Sequence, residues 1–187
     1  MIAGIDYGSK MAGTTVIAFQ RDKTIALISS KKNQDADQMI LDFVDEYHPT
    51  LIGLDAPLSL PGVYSDSQSY DDFFYRVADK EVKAMSPMFL GGLTARAMRL
   101  KSLVTDKTEV IEVYPAMRAK RLNLAEYAYK KKEADYPNLL KRIVPNHSIH
   151  INSSHELDAV IAWNIAIAFN RGEAQSVGNT KEGLIYY

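Results

Sequence analysis

Three aspartates stand in apolar surroundings, and their chemistry is the first feature of the sequence that needs an explanation. Asp6 and Asp55 each end an apolar run with the pattern Gly-x-Asp, in residues 2–6 and 51–55. Asp158 lies about one turn into the last long apolar segment of the chain. Because an unpaired charge is strongly disfavoured in such a setting, each of these carboxylates needs a partner.

The positions of these aspartates favour a shared partner. If the two apolar runs are neighbouring parallel strands, Asp6 and Asp55 lie at the same edge of the sheet, where ligands of open α/β sheets bind. Asp158 shares a helix face with Ile161 and Ile165 by its i+3 and i+7 spacing. Three carboxylates at the edge of a dry core repel one another, and a hard divalent cation, Mg²⁺ or Mn²⁺, would compensate.

Each aspartate also has a simpler explanation when it is taken alone. It could cap a helix, form a turn at a strand end, or pair with a basic residue such as Lys10 or Arg96. Only the combination of the three favours a metal site.

The elements that must position these residues follow a β-β-β-α-β order at the start of the chain. Apolar runs rich in β-branched residues predict strands, and an amphipathic stripe from residue 39 to 47 predicts a helix capped by Asp35 or Asp37. The predicted strands are residues 2–7, 16–19, 25–28 and 51–54. The second and third form a hairpin, and the fourth can pair in parallel with the first. This order predicts an α/β fold with a mixed central sheet, three antiparallel strands and then parallel ones, flanked by helices.

The second half of the chain is read as mostly helical, with two further strands. The final helix has the clearest start, because Ser153 and Glu156 match a capping box. The other predicted helices are residues 70–83, 90–103, 117–131 and 136–143, and the predicted strands are 110–114 and a closing edge strand at 184–187.

Length and composition predict one domain over residues 1–187, with an ordinary apolar core. There are no cysteines, which excludes disulfides and thiolate metal sites. No apolar run reaches the length of a membrane span, and the first residues do not resemble an export signal, so we expect a cytoplasmic protein that does not enter a membrane.

The charges are unevenly distributed although the net charge is only −1. Residues 96–142 carry 12 Lys and Arg against 6 Asp and Glu, and a local basic face of this kind can bind phosphates. The run Lys130-Lys131-Lys132 within it is expected to be a solvated helix face.

Aromatic residues are concentrated in the long stretch from Pro61 to Tyr75. They could stack on unpaired bases, but the neighbouring aspartates oppose a phosphate backbone, so we expect Phe73 and Phe74 to pack in the core. Met85, Met88 and Phe89 are likewise expected to fill gaps in the core.

Several short motifs carry a resemblance to known proteins. Gly4-Ile5-Asp6-Tyr7-Gly8-Ser9-Lys10 resembles the first-strand motif of the RNase H-like superfamily, which includes the RuvC-type resolvases and shares the element order above. More narrowly, four segments look like the domain-of-unknown-function family 429, a family of predicted RNase H-like nucleases. These segments are residues 54–61, 74–80, 112–115 and 155–159.

The resemblance implies a single RNase H-like domain that acts as a metal-dependent nuclease. Asp6, Asp55 and Asp158 would bind one or two Mg²⁺ or Mn²⁺ ions and cleave phosphodiester bonds by a two-metal-ion mechanism. Glu112 would be a further metal ligand, unless it points to solvent. His155 would orient water or carry a proton, unless it is an ordinary solvated residue of a first helical turn. The implied partner is nucleic acid, DNA or RNA, bound by a monomer or homodimer.

Four more residues are candidate substrate contacts: Lys10, Arg76, Asp79 and Arg96. Lys10 would contact a phosphate or pair with Asp6, and Arg76 and Asp79 would form an i, i+3 salt bridge or reach the site.

Two other functions remain open. One is a non-catalytic RNase H-like module that binds nucleic acid or a protein partner. The other is an actin-like ATPase or sugar kinase, which is disfavoured because Pro57 follows Asp55 where a second phosphate-binding turn would need a backbone amide.

Overall fold

A seven-stranded mixed sheet runs through the computed structural model, which describes residues 1–187. Its strand order is β3-β2-β1-β4-β5-β7-β6. The strands are β1 (Ile2–Asp6), β2 (Val16–Arg21), β3 (Thr24–Ser29), β4 (Leu51–Asp55), β5 (Glu109–Val113), β6 (Ser176–Asn179) and β7 (Gly183–Tyr186).

The strand directions confirm the predicted sheet. β1, β2 and β3 are antiparallel neighbours, whereas β4 pairs in parallel with β1 and β5 in parallel with β4. This mixed sheet with flanking helices is consistent with an RNase H-like arrangement. The predicted closing edge strand is not at the edge, because β7 lies between β5 and the short β6, which the sequence reading missed.

Helices cover both faces of the sheet and divide the core in two. One face packs mainly against α1 and α4, and the other mainly against α7 with α5 and α6 at its side. The helices are α1 (Ala36–Tyr47), α2 (Val77–Val82), α3 (Pro87–Leu90), α4 (Gly92–Val104), α5 (Pro115–Arg121), α6 (Tyr136–Ile143) and α7 (Ser154–Asn170), with 3₁₀ turns at Gly62–Tyr64 and Leu124–Tyr127. None of them combines the length and the hydropathy that a membrane crossing requires.

Capping residues set where the two best-predicted helices begin. The Asp35 carboxylate accepts from the amides of Asp37 and Gln38 at the start of α1. At the start of α7, Ser153 Oγ accepts from the Glu156 amide and the Glu156 carboxylate accepts from the Ser153 amide, both at 3.2 Å, which confirms the capping box.

The helix predicted over residues 70–83 is largely wrong, because α2 begins only at Val77. The Asp72 carboxylate accepts from the amides of Phe74 and Tyr75, both at 2.8 Å, and this Asx turn replaces the first helical turns. Phe73 and Phe74 are consequently exposed rather than in the core, and so are Met85 and Phe89.

The helix predicted over residues 117–131 is also shorter than expected, since α5 ends at Arg121. Asn123, Ala128 and Lys130 have left-handed backbones with φ of 55°, 58° and 59°, which a continuous right-handed helix cannot contain.

Two glycines let α7 lie directly on the sheet. Gly4 and Gly53 are side by side in β1 and β4. A Cβ atom on Gly4 would lie 1.9 Å from the Trp163 backbone nitrogen, and one on Gly53 would lie 2.9 Å from the Ala162 carbonyl oxygen, both in α7. The glycine of each Gly-x-Asp pattern is therefore needed for the close approach of this helix. That approach brings Asp158, one turn before Ala162, to the edge where β1 and β4 end.

Candidate metal centre

The three predicted aspartates meet at the carboxyl edge of the sheet. Asp6 and Asp55 are paired residues at the ends of the parallel strands β1 and β4, and Asp158 reaches them from the first turns of α7. One carboxylate oxygen from each lies within 4.8 Å of the other two. Asp158 is buried, and Asp6 and Asp55 are partly buried. The predicted convergence of the three carboxylates is therefore present in the fold.

Other side chains of the protein contact two of these three carboxylates, those of Asp6 and Asp158. His155 Nδ1 lies 2.7 Å from Asp6 Oδ2. The Tyr129 hydroxyl donates to Asp158 Oδ1 at 2.6 Å, and Lys130 Nζ lies 2.9 Å from Asp158 Oδ2. No hydrogen bond from the protein reaches the Asp55 carboxylate, so this member of the cluster has no partner.

Burial and mutual repulsion make full ionisation of the cluster costly. Burial and then the charge of Asp158 raise the pKa of Asp6 to about 6, although the contact with His155 acts in the opposite direction. Burial, followed by the charges of Asp6 and Asp158, raises the pKa of Asp55 well above its ordinary value. The three carboxylates therefore carry more negative charge than Lys130 compensates.

Lys130 contacts the cluster, which the sequence analysis did not predict, although its side chain is 49% exposed, as expected of a solvated position. Burial disfavours its charged form, but the charges of Asp158, Asp55 and Asp6 outweigh this effect and raise the pKa of Lys130. Lys131 and Lys132 are exposed without an ion pair, as expected, whereas the left-handed turn at Lys130 directs its ammonium into the cluster. Tyr129 was not predicted either, and no local pattern distinguishes these two residues.

Glu112, Arg76 and Asp79 form a buried network beside the three-carboxylate group, and it includes the i, i+3 salt bridge that was one of the two roles expected for Arg76 and Asp79. Arg76 is 0% exposed and donates to both carboxylates in a bidentate manner, to Asp79 at 2.6 and 3.1 Å and to Glu112 at 2.6 and 2.7 Å. Glu112 also accepts from the Leu58 amide at 2.8 Å. Arg76 is thus enclosed rather than available to a substrate, and Glu112 neither points to solvent nor belongs to the three-carboxylate group.

Lys10 and Arg96 hold the surroundings of β1 in place. Lys10 Nζ pairs with Asp35 Oδ2 at 3.0 Å rather than with Asp6. Arg96 pairs with Asp37 at 2.6 Å and lies over the Tyr7 ring, 4.7 Å from its centroid. Their predicted contacts with a substrate would require these pairs to rearrange.

These features define a class: an α/β protein with an RNase H-like mixed sheet and a carboxylate cluster, compatible with a metal-binding site, at the sheet's carboxyl edge. The chain belongs to the family described as "Protein of unknown function (DUF429)", which it matches over residues 75–183, more than half of its length. The matched region contains His155 and Asp158, whereas Asp6 and Asp55 precede it. This match confirms the family that the motifs indicated. Comparison with curated proteins gives no match.

The raised pKa values predict how the stability of the metal-free protein depends on pH. The folded-state pKa of Asp6, about 6, exceeds its ordinary value of 3.8, so between these pH values the folded state binds more protons than the unfolded state. The free energy of unfolding in EDTA should therefore increase, by about 1 kcal/mol, as the pH falls from 7 to 5. Calorimetric melting curves would measure this slope. Asp6→Asn should flatten it, and an equal slope in both proteins would contradict the prediction.

Proposed function

We propose that this protein is a metal-dependent nuclease that hydrolyses phosphodiester bonds of nucleic acid, with Asp6, Asp55 and Asp158 as its metal ligands. The observation that carries the proposal is the Asp55 carboxylate, which has no protein partner and lies within 4.8 Å of two other carboxylates. The donor set consists of hard carboxylate oxygens, the ligands that Mg²⁺ and Mn²⁺ prefer. The residues present therefore fit such an ion.

When bound, one or two of these ions would activate a water molecule and stabilise charge on the phosphate. The protein would contribute positioning and proton transfer. His155 fixes the Asp6 carboxylate through Nδ1, and its side chain is 47% exposed, so its other ring nitrogen can exchange protons at the reacting phosphate. The basic segment 96–142, which includes Lys130, would bind the phosphates of the strand.

One observation favours the alternative, a non-catalytic binding module. His155, Tyr129 and Lys130 already satisfy two of the three carboxylates without any ion. In such a module the carboxylates would serve only the fold, and neither metal binding nor cleavage would occur.

Incubation with labelled nucleic acids would separate the two functions. We expect Mn²⁺ or Mg²⁺ to support cleavage of at least one single-stranded, branched, duplex or hybrid substrate, and EDTA to abolish it. Mn²⁺ should also raise the melting temperature, because it binds only the folded site. A protein that neither cleaves nor gains stability from Mn²⁺ would be the binding module.

Removal of the Lys130 ammonium should strengthen metal binding. Lys130 Nζ lies 2.9 Å from Asp158 Oδ2, where it competes with a cation for the same oxygen. We expect Lys130→Met to increase Mn²⁺ affinity about tenfold, which corresponds to loss of a repulsion of about 1.4 kcal/mol near the protein surface. Isothermal titration calorimetry would measure it.

Lys131→Met is the matched control, because it removes the same charge from the neighbouring exposed position. It should leave Mn²⁺ affinity within about twofold of the wild type, since Lys131 pairs with none of the three carboxylates and exposed charges at a distance are screened. Equal effects of the two substitutions would show that Lys130 does not compete with the ion.

A further inference from the structure

A cavity of about 260 Å³ opens beside the carboxylate cluster and has no role in the proposed hydrolysis. Four acidic residues, Asp6, Asp55, Asp79 and Glu112, line part of it, and nine of its fourteen lining residues are hydrophobic. Leu93 and Tyr114 are among the apolar ones. Because an apolar wall offers a phosphate no compensation for lost hydration, this cavity suits another part of a substrate.

Exposed aromatic and apolar side chains are concentrated in residues 64–89, the segment that contributes Met85 to the cavity wall and is followed directly by the lining residue Leu90. Six of the nine large hydrophobic residues that the structure exposes come from one segment: Tyr64, Phe73, Phe74, Val77, Met85 and Phe89. Met85 lines the cavity and is 61% exposed, and Phe89 is 63% exposed and precedes the lining residue Leu90. The rings of Phe74 and Phe89 lie 5.5 Å apart. A concentration of exposed apolar surface of this kind typically marks a binding surface.

The acidic residues near these rings oppose a nucleic acid less than the sequence suggests. The Asp72 carboxylate accepts two backbone amides and pairs with Lys80 at 2.6 Å, so its charge is compensated. Asp71 is exposed without an ion pair, and its charge acts on the same Lys80. Binding at this surface would therefore depend on stacking more than on charge.

We infer that the cavity and the aromatic surface formed by Phe74, Met85 and Phe89 bind an unpaired nucleobase, which makes single-stranded nucleic acid, or an unpaired segment of it, the substrate class. This inference rests on the proposed function for the phosphate end of the nucleotide. A nucleotide carries a flat base with apolar faces next to an anionic phosphate, and the structure places a mostly apolar cavity next to a candidate cation site. A base inside a duplex is stacked and paired, so it cannot enter such a cavity without leaving the helix.

Fluorescence anisotropy with a labelled 12-nucleotide single strand and its blunt duplex tests the inference. The titrations are run in EDTA, where a metal-dependent enzyme does not cut. We expect the single strand to bind at least about tenfold more tightly than the duplex. Phe89→Ala and Phe74→Ala should each weaken single-strand binding by about fivefold or more, the usual effect of losing one base–aromatic stack.

Leu103→Ala is the matched control, because Leu103 is 50% exposed but lies near the other end of α4 from the cavity residue Leu93. It should leave single-strand affinity unchanged. All three replaced side chains are exposed, so circular dichroism melts should show folded variants.

Equal affinity for single strand and duplex, no binding to either, or single-strand binding that both phenylalanine variants retain would each overturn the inference. These outcomes are separate from the test of the proposed function. Metal-dependent cleavage of a duplex that binds as well as the single strand would leave the nuclease proposal intact. Aromatic-dependent single-strand binding without any cleavage would instead support the inference and contradict hydrolysis.

Discussion

Asp55→Asn should abolish both Mn²⁺ binding and nuclease activity while leaving the protein folded. Asparagine keeps the shape of the side chain but removes the charge of the one carboxylate without a protein partner. Because loss of a group that merely supports a metal ligand costs about 10- to 100-fold in metal affinity or activity, loss of a ligand should cost at least about 100-fold. Calorimetric titration with Mn²⁺ and a cleavage assay would measure the two effects.

The same substitution should stabilise the metal-free protein, because it removes a charge whose burial, together with repulsion from Asp6 and Asp158, raises the pKa of Asp55. We expect the melting temperature in EDTA to increase by about 2–4 °C, the shift that 1 kcal/mol produces in a protein of this size. Asp45→Asn is the control for charge, since Asp45 is exposed and pairs only with the exposed Lys107. An Asp55→Asn protein that binds Mn²⁺ like the wild type would refute the assignment of the metal centre.

Arg76→Leu should destabilise the fold by about 3–5 kcal/mol, the usual result of removing one partner from a buried ion pair. Arg76 makes five side-chain hydrogen bonds, four to Asp79 and Glu112 and one to Ser59 Oγ at 2.8 Å. Leucine would leave two buried carboxylates without a positive charge. Urea denaturation followed by circular dichroism would measure the loss.

Two further variants show whether the charge is responsible. Arg99→Ala removes an exposed arginine without an ion pair and should change stability by less than about 0.5 kcal/mol. The triple variant Arg76→Leu, Asp79→Asn, Glu112→Gln removes the uncompensated charges and should recover part of the lost stability. A single variant that loses less than about 1 kcal/mol would contradict this description of the network.

The convergence of the three aspartates could be predicted from sequence because periodic signals specify it. Two apolar runs that end in Gly-x-Asp become neighbouring parallel strands, and the capping box at Ser153 fixes where α7 begins and hence where Asp158 lies. Hydrophobic burial and helix capping act locally, so a single sequence contains the information for these elements.

The polar partners could not be predicted in the same way. The position of Lys130 depends on a left-handed turn after α5, and a run of three lysines contains no signal that one of them pairs with the distant Asp158. The burial of Arg76 depends on Glu112, which is distant along the chain. The exposure of Phe74 depends on Asp72, whose side chain forms a turn where the sequence pattern predicts a helix. Each is a tertiary effect that overrides a local preference.

The glycine contacts between α7 and the sheet mean that the carboxylate site is preorganised. Trp163 and Ala162 pack directly on the backbones of Gly4 and Gly53. The helix that carries Asp158 is therefore held in place by the central sheet. Capture of an ion would then order no new backbone, and the rearrangement that it requires is that of the side chains that contact the carboxylates, Lys130, Tyr129 and His155. The rate of ion binding should accordingly be limited by the motion of side chains and not by the folding of a segment.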